Sequence, residues 1–310
     1  MSLADEKYIS MCKEIINLSG EPQKVRPIWP DTGEHAYTFK VFGICNRYDL
    51  RQEFPVITLR PINIKAAFDE ILWIFQKKSN NINDLNSHIW DEWADENGSI
   101  GKAYGYQIGK KFLHHTEDIN NDDEQMKETY PSWDNSVIHT KLGKREVWMD
   151  QMDALLYDLK NDPYSRRLIM NMYNHDDLYE MNLHPCAYST TWNVTDEGYD
   201  KPILNMILNQ RSQDVLVAGS WNVVQYALLL MMVAQTVDMI PGQLIHMISD
   251  AHIYDRHVRI IDELISRETY EAPKVSLDKS VKDFYDFKVS SLIIEDYKAG
   301  EQIKNIPVAV

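Results

Sequence analysis

The residues with the plainest chemical potential are the thiols, and there are three: Cys12, Cys45 and Cys186. They are too few and too scattered for a disulfide framework or a zinc cluster, so each is judged alone. Cys186 follows a proline at the start of a predicted strand, in Leu183-His184-Pro185-Cys186. Such a thiol is a nucleophile only if a neighbour lowers its pKa, and otherwise it is a small core residue. Gln210-Arg211-Ser212-Gln213-Asp214 closes another predicted strand and offers a fixed cation, a hydroxyl and a carboxylate within one short segment. Together these groups could grip a phosphate and stabilise a thiolate.

The elements that must position these groups can be read from periodicity. Ile64, Ala67, Phe68, Ile71, Leu72 and Phe75 fall at helical spacing, with Glu70 on the edge of the apolar stripe. A second helix is predicted over 147–160, ended by Asn161-Asp162-Pro163, and a long apolar one over 221–238. Residues 168–173, 187–194, 203–210 and 244–249 read as strands. The polar stretch 112–146, with His114, His115 and Glu124, shows neither period and reads as an insertion or a mobile flap. With no linker or repeat, 1–310 is expected to be one domain, with sheet concentrated in the second half.

Composition narrows the function. The chain has 310 residues, 44% hydrophobic and 25% charged, enough to bury a sizeable core. Its net charge of −15 repels polyanions, so nucleic acid is not an expected partner. The apolar run 223–241 is interrupted by Gln225, Gln235, Thr236 and Asp238, so it predicts a buried helix rather than a membrane span. Asp5, Glu6 and Lys7 stand where a secretory signal needs apolar residues, which predicts a cytoplasmic protein. Gly105-x-x-x-Gly109-Lys110 lacks the spacing and hydroxyl of a phosphate-binding P-loop.

Pro185-Cys186, Gln210-Arg211-Ser212 with Asp214, Asn222, and Asp250-Ala251-His252-Ile253-Tyr254 resemble, in order and spacing, the thymidylate synthase family. Glu70-Ile71-Leu72-Trp73, Ile89-Trp90-Asp91-Glu92-Trp93, Tyr104-Gly105, Ser165-Arg166-Arg167 and the terminal Pro307-Val308-Ala309-Val310 extend the resemblance over the chain from about Thr38 onward, apart from 112–146. The resemblance implies a bacterial or phage-like member with an α/β fold of the α+β type. A large twisted mixed sheet would be covered by helices, with one sheet face forming a homodimer interface. The implied reaction is reductive methylation of dUMP to dTMP with 5,10-methylenetetrahydrofolate as co-substrate, and no metal.

The same resemblance implies residue roles. Cys186 adds to C6 of uracil. Arg211 sits beside the sulfur and on the substrate phosphate, lowering the thiol pKa. Glu70 handles protons at O4, and Tyr104 helps to remove the C5 proton. Asn222 reads the uracil edge, although an asparagine opening an apolar run is also a favoured helix cap. Gln210, Ser212, His252 and Tyr254 contact the nucleotide, the last two from one side of a strand. Asp214 holds the pterin of the folate beside a wall of Ile89, Trp90 and Trp93, and the Val310 carboxylate closes over both ligands. Arg166 and Arg167 reach the phosphate of the other subunit. Arg26 is the candidate for a phosphate-loop arginine, because Arg26-Pro27-Ile28-Trp29-Pro30-Asp31-Thr32-Gly33 replaces the family's usual loop. Arg60 stands where a lysine is usual and is assigned to the folate's glutamate tail. Two further departures are Ala187 for a usual histidine, and Ala218-Gly219-Ser220-Trp221 for Gly-x-Pro-Phe. A hydroxymethylase of the same family and a non-catalytic dimeric relative are the competing readings; Asn222 favours uracil, and the intact residue set favours an enzyme.

Overall fold

A serine and two acidic residues start the first helix. Ser2 Oγ accepts from the Asp5 amide at 3.1 Å, and Asp5 and Glu6 lie in the first turn of α1 (Leu3–Leu18). A hairpin follows, β1 (Gln23–Ile28) and β2 (His35–Asp49). Then α2 (Ile64–Ile71) runs directly into a π-helical turn, Leu72–Gln76, a helix irregularity common at functional sites. The short α3 (Gly105–Gly109) begins at Tyr104. The computed structural model describes residues 1–116, 122–135, 140–141 and 144–310.

The stretch expected to lack regular structure contains β3 (Phe112–Thr116), α4 (Asp123–Thr129), β4 (Thr140–Lys141) and β5 (Lys144–Met149); 117–121, 136–139 and 142–143 lie outside the described residues. Here short antiparallel pairing of β5 with β3 and β4 makes the structure, which apolar periodicity does not report. The helix predicted from 147 starts later, as α5 (Gln151–Asn161). Val147–Met149 complete β5, and Asp150 caps the helix by accepting from the Met152 and Asp153 amides, both at 3.0 Å.

The remaining elements are β6 (Ile169–Asn171), β7 (Ala187–Thr195), β8 (Ile203–Asp214), α6 (Gly219–Thr236), β9 (Ile240–Tyr254), α7 (Val258–Ile265), β10 (Lys274–Leu277) and β11 (Leu292–Glu295). One six-stranded sheet has the order β1-β2-β9-β8-β7-β6; β8 and β9 run parallel and the other neighbours antiparallel. The sheet is therefore mixed, as expected, but it draws β1 and β2 from the first half of the chain. Strand alternation splits it into two faces. Asn46, Tyr48 and His246 face α1 and α6. Cys45, Arg47, Ile245, Met247, Ile207 and Ile169 point the other way and are exposed or half-buried.

Candidate active site

The ends of β7 and β8 bring the nucleophile and its cation together. The Arg211 amide donates to the Cys186 carbonyl at 2.9 Å. Its guanidinium donates from Nε to the Pro185 carbonyl (3.0 Å) and from Nη2 to the His184 carbonyl (2.7 Å), which leaves Nη2 3.6 Å from Cys186 Sγ. Two backbone acceptors thus hold a fixed charge beside the sulfur. Arg211 does lower the thiol pKa, as expected, but burial acts more strongly, so the net shift of Cys186 is upward.

From Cys186 a continuous set of contacts runs to Glu70. The Cys186 amide donates to the Tyr104 hydroxyl at 3.1 Å. Tyr104 has φ 43° and ψ −102°, a region that side chains rarely occupy and that marks stored strain at functional positions. Burial, with Cys186 nearby, raises its pKa well above the ordinary tyrosine value. Its ring meets that of Trp90 edge to face, 5.0 Å between centroids. Trp90 Nε1 donates to Glu70 Oε1 at 3.0 Å, and Trp221 Nε1 donates to Glu70 Oε2 at 2.8 Å. Burial pushes the Glu70 carboxyl up, and hydrogen bonding from Trp221, Trp90 and Gln225 offsets part of that rise.

Asn222 is not a helix cap: the N-cap of α6 is Ala218 and Asn222 lies within the helix. Its Oδ1 accepts from Gln210 Nε2 at 3.1 Å and its Nδ2 donates to Gln225 Oε1 at 3.0 Å. Gln210 is itself fixed, since Nε2 also donates to the Ser212 carbonyl at 3.1 Å and Oε1 faces His246 Nε2 at 2.7 Å. An amide oxygen only accepts, so that His246 nitrogen carries the proton. Burial lowers the His246 pKa to about 3, which keeps the ring neutral. The Asn222 amide therefore has one orientation, with one N–H and one lone pair unused. Those are the partners that O4 and the N3 hydrogen of uracil require.

His252 and Tyr254 share one side of β9, their ring centroids 5.3 Å apart, and His252 Nδ1 lies 2.7 Å from Asp250 Oδ1. Burial first, then the charges of Asp214, Asp250 and Cys186, raise Tyr254 to about 12. Asp214 closes the turn after β8, its Oδ1 accepting from the Leu216 amide (2.9 Å) and the Val217 amide (3.1 Å). Among the described residues no group of three or more His, Cys, Asp or Glu side chains could hold a metal ion.

The thymidylate synthase family model matches residues 6–310. The chain belongs to the thymidylate synthase family. It is 37% identical over 308 residues to the thymidylate synthase of Bacillus subtilis subsp. natto, and 36% identical over 308 residues to that of Bacillus phage phi3T; each match covers 98% of both chains. The solved thermostable thymidylate synthase A from Bacillus subtilis superposes with a TM-score of 0.81 at 36% identity, covering 99% of each chain. The family match takes in α1 and the β1–β2 hairpin, beyond the Thr38 boundary of the sequence resemblance.

Other residues assigned by resemblance to the thymidylate synthase family lie further out. Arg26, on β1, and Arg166 and Arg167, between α5 and β6, are exposed, and their side chains make no hydrogen bond or ion pair with the described residues. Trp90 is buried against Trp93, their ring centroids 5.7 Å apart, while Ile89 is 40% exposed. Arg60 is buried, with Nη2 donating to the Leu216 carbonyl at 2.6 Å, so it braces the Asp214 turn. Val310 is paired with Ile28 through both backbone hydrogen bonds, at 2.8 and 3.0 Å. A cavity of about 850 Å³ lies between α3, β3 and α5 with Arg167 on its wall, and none of the Cys186 cluster lines it.

Sequence reading missed the parts played by Trp221, Gln225 and His246. Gln225 carried a signal, lying three residues after Asn222 and so on the same helix face. Trp221 was visible only as a departure from the family pattern.

Proposed function

We propose that Cys186, Glu70, Tyr104, Arg211 and Asn222 carry out the family reaction here, the reductive methylation of dUMP to dTMP with 5,10-methylenetetrahydrofolate, yielding dihydrofolate. The observation that carries this reading is the convergence of a cation-flanked thiol with an asparagine amide locked in the orientation that suits uracil. Cys186 Sγ forms a bond to C6, and the displaced ring electrons reach C5 and O4 as an enolate. Glu70 serves the proton at O4, and Asn222 donates to O4 while accepting from N3. C5 bonds to the one-carbon unit that the folate would supply, the bond from that carbon to the folate nitrogen breaks as the C5 proton leaves, and the folate's hydride would complete the methyl group. Tyr104, fixed on the Cys186 amide, assists loss of the C5 proton, after which the C6–sulfur bond breaks.

Arg211, Gln210, Ser212, His252 and Tyr254 would bind the nucleotide, with Arg26 at its phosphate. Asp214, Trp90, Trp93, Ile89, Arg60 and Val310 would form the folate side. The uncovered sheet face supports a homodimer, and the free guanidinium groups of Arg166 and Arg167 support their crossing to the partner's phosphate, where they would add the positive charge that Cys186 lacks in one chain. Among the described residues no helix is long and apolar enough to cross a membrane, and we place the enzyme in the cytoplasm.

Dihydrofolate formation, followed spectroscopically with dUMP and methylenetetrahydrofolate, tests the reaction and separates it from hydroxymethylation. Cys186→Ala should abolish turnover and the covalent complex with 5-fluoro-dUMP while leaving dUMP binding largely intact. A covalent ternary complex formed by the Ala variant would place the nucleophile elsewhere.

A further inference from the structure

His257 is fully buried in the turn after β9, its ring between those of Trp29 and Tyr254, with centroids 6.1 and 5.4 Å away. Both ring nitrogens face acceptors. Nε2 is 2.7 Å from the Pro307 carbonyl, and Nδ1 is 3.6 Å from Asp214 Oδ1 with no other partner. A neutral imidazole has one N–H, so it can serve only one of these; the other nitrogen would then turn a lone pair toward an acceptor. Only the imidazolium satisfies both. Pro307 opens the terminal segment whose last residue pairs with Ile28, and Asp214 anchors the turn on the opposite side of the ring.

We propose that His257 is a positioning residue that ties the C-terminal tail to the folate side of the active site, with Nε2 donating to Pro307 and Nδ1–H directed at Asp214. The proposal rests on the assignment of Asp214 and the tail to the folate site. It makes docking of the tail depend on the charge of a residue that touches no ligand. The groups facing or flanking the ring are the Asp214 carboxylate, the Pro307 carbonyl, Asp255, the Tyr254 hydroxyl-bearing ring, and Arg256, whose guanidinium lies 4.5 Å over the Trp29 ring and is paired with Asp31. Burial pulls the His257 pKa down, but Asp214, the Pro307 carbonyl and Asp255 outweigh it, so the net shift is upward. The folded chain holds this proton more tightly than a free histidine. The bond to Pro307 is therefore charge-assisted below the ordinary histidine pKa and weakens to a neutral N–H···O bond as pH rises through the raised value and Nδ1 loses its proton.

Release of Val310 by a carboxypeptidase reads the link without requiring turnover. In the full-length protein, release relative to a free tail peptide should quicken about five- to tenfold from about pH 6 to about pH 9, the scale of the change from a charge-assisted to a neutral hydrogen bond. His257→Gln, which keeps a donor for Pro307 but no charge, should flatten that pH dependence and raise the KM for folate while leaving the KM for dUMP unchanged. His257→Phe, which keeps the ring packing, should release the tail quickly at every pH. Release that is independent of pH in the wild-type protein, or identical in wild type and His257→Gln, overturns the proposal. If neither variant folds, the wild-type pH profile still decides. Absence of dihydrofolate formation by the wild type would instead overturn the assigned reaction, an outcome separate from the tail measurement.

Discussion

At the scale of single residues, Glu70 shows how an apolar helix face can carry a proton-handling group. Its carboxyl is 5% exposed and held between two indole N–H donors. Folding favours its protonated form, so this residue lowers stability as pH rises from the ordinary carboxyl range through the raised value. Trp221→Phe keeps a ring at the site and removes one donor from the ionised form. The Glu70 pKa should then rise further, moving the acid limb of the kcat profile to higher pH. A lost hydrogen bond to a buried charge costs about 1–3 kcal/mol, which is roughly ten- to a hundredfold in kcat. The KM for dUMP should change little. A Trp221→Phe profile that superimposes on wild type would show that the indole only fills space.

At the scale of elements, the site depends on the joint between the π-helical turn and α3. Tyr104 takes its strained backbone conformation immediately before Gly105, and a Cβ on Gly105 would lie 2.1 Å from the Ser79 carbonyl oxygen. Ser79 itself is tied to the turn, its amide donating to the Trp73 carbonyl at 3.2 Å. Backbone meets backbone here, so relief requires one element to move. Gly105→Ala should destabilise the fold by more than about 2 kcal/mol and should lower activity further by displacing the Tyr104 hydroxyl from the Cys186 amide. Denaturant unfolding with parallel kinetics checks both. An alanine variant with wild-type stability would contradict the packing of α3 on Ser79.

At the scale of the whole molecule, helices α1 and α6 cover one face of the central sheet, and the other presents Ile169, Ile207, Ile245 and Met247 in a band across β6, β8 and β9. A partner sheet would remove that band from water. In such a dimer, a Cys186→Ala subunit mixed with an Arg166→Ala, Arg167→Ala subunit should regain activity, because one hybrid site would have an intact thiol and both arginines. Up to about a quarter of wild-type activity is the scale expected from random pairing of two-fold-symmetric subunits. Mixtures that exchange subunits yet stay inactive would remove these arginines from the partner's site.

Much of this protein was legible in one dimension. The apolar spacing from Ile64 and across α6 marks helices because burial of a continuous stripe is a local property of the chain. The alternation of His252 and Tyr254 put both on one side of a strand, where they are found. Pro185-Cys186 and Gln210-Arg211 could be paired by their residue types, although nothing in their separation in sequence set the 3.6 Å between guanidinium and sulfur. Only the tertiary structure decided the balance of charge and burial on that thiol, since desolvation is the sum of everything packed around it. It likewise decided the partners of Glu70, which come from α6 and from the segment before α3, and the placement of β1 and β2 in a sheet whose other strands lie in the second half of the chain. The clamp on His257 is of the same kind: Asp214, Trp29 and Pro307 are remote from one another in sequence, and they meet because the sheet and the returning tail bring them around one buried ring.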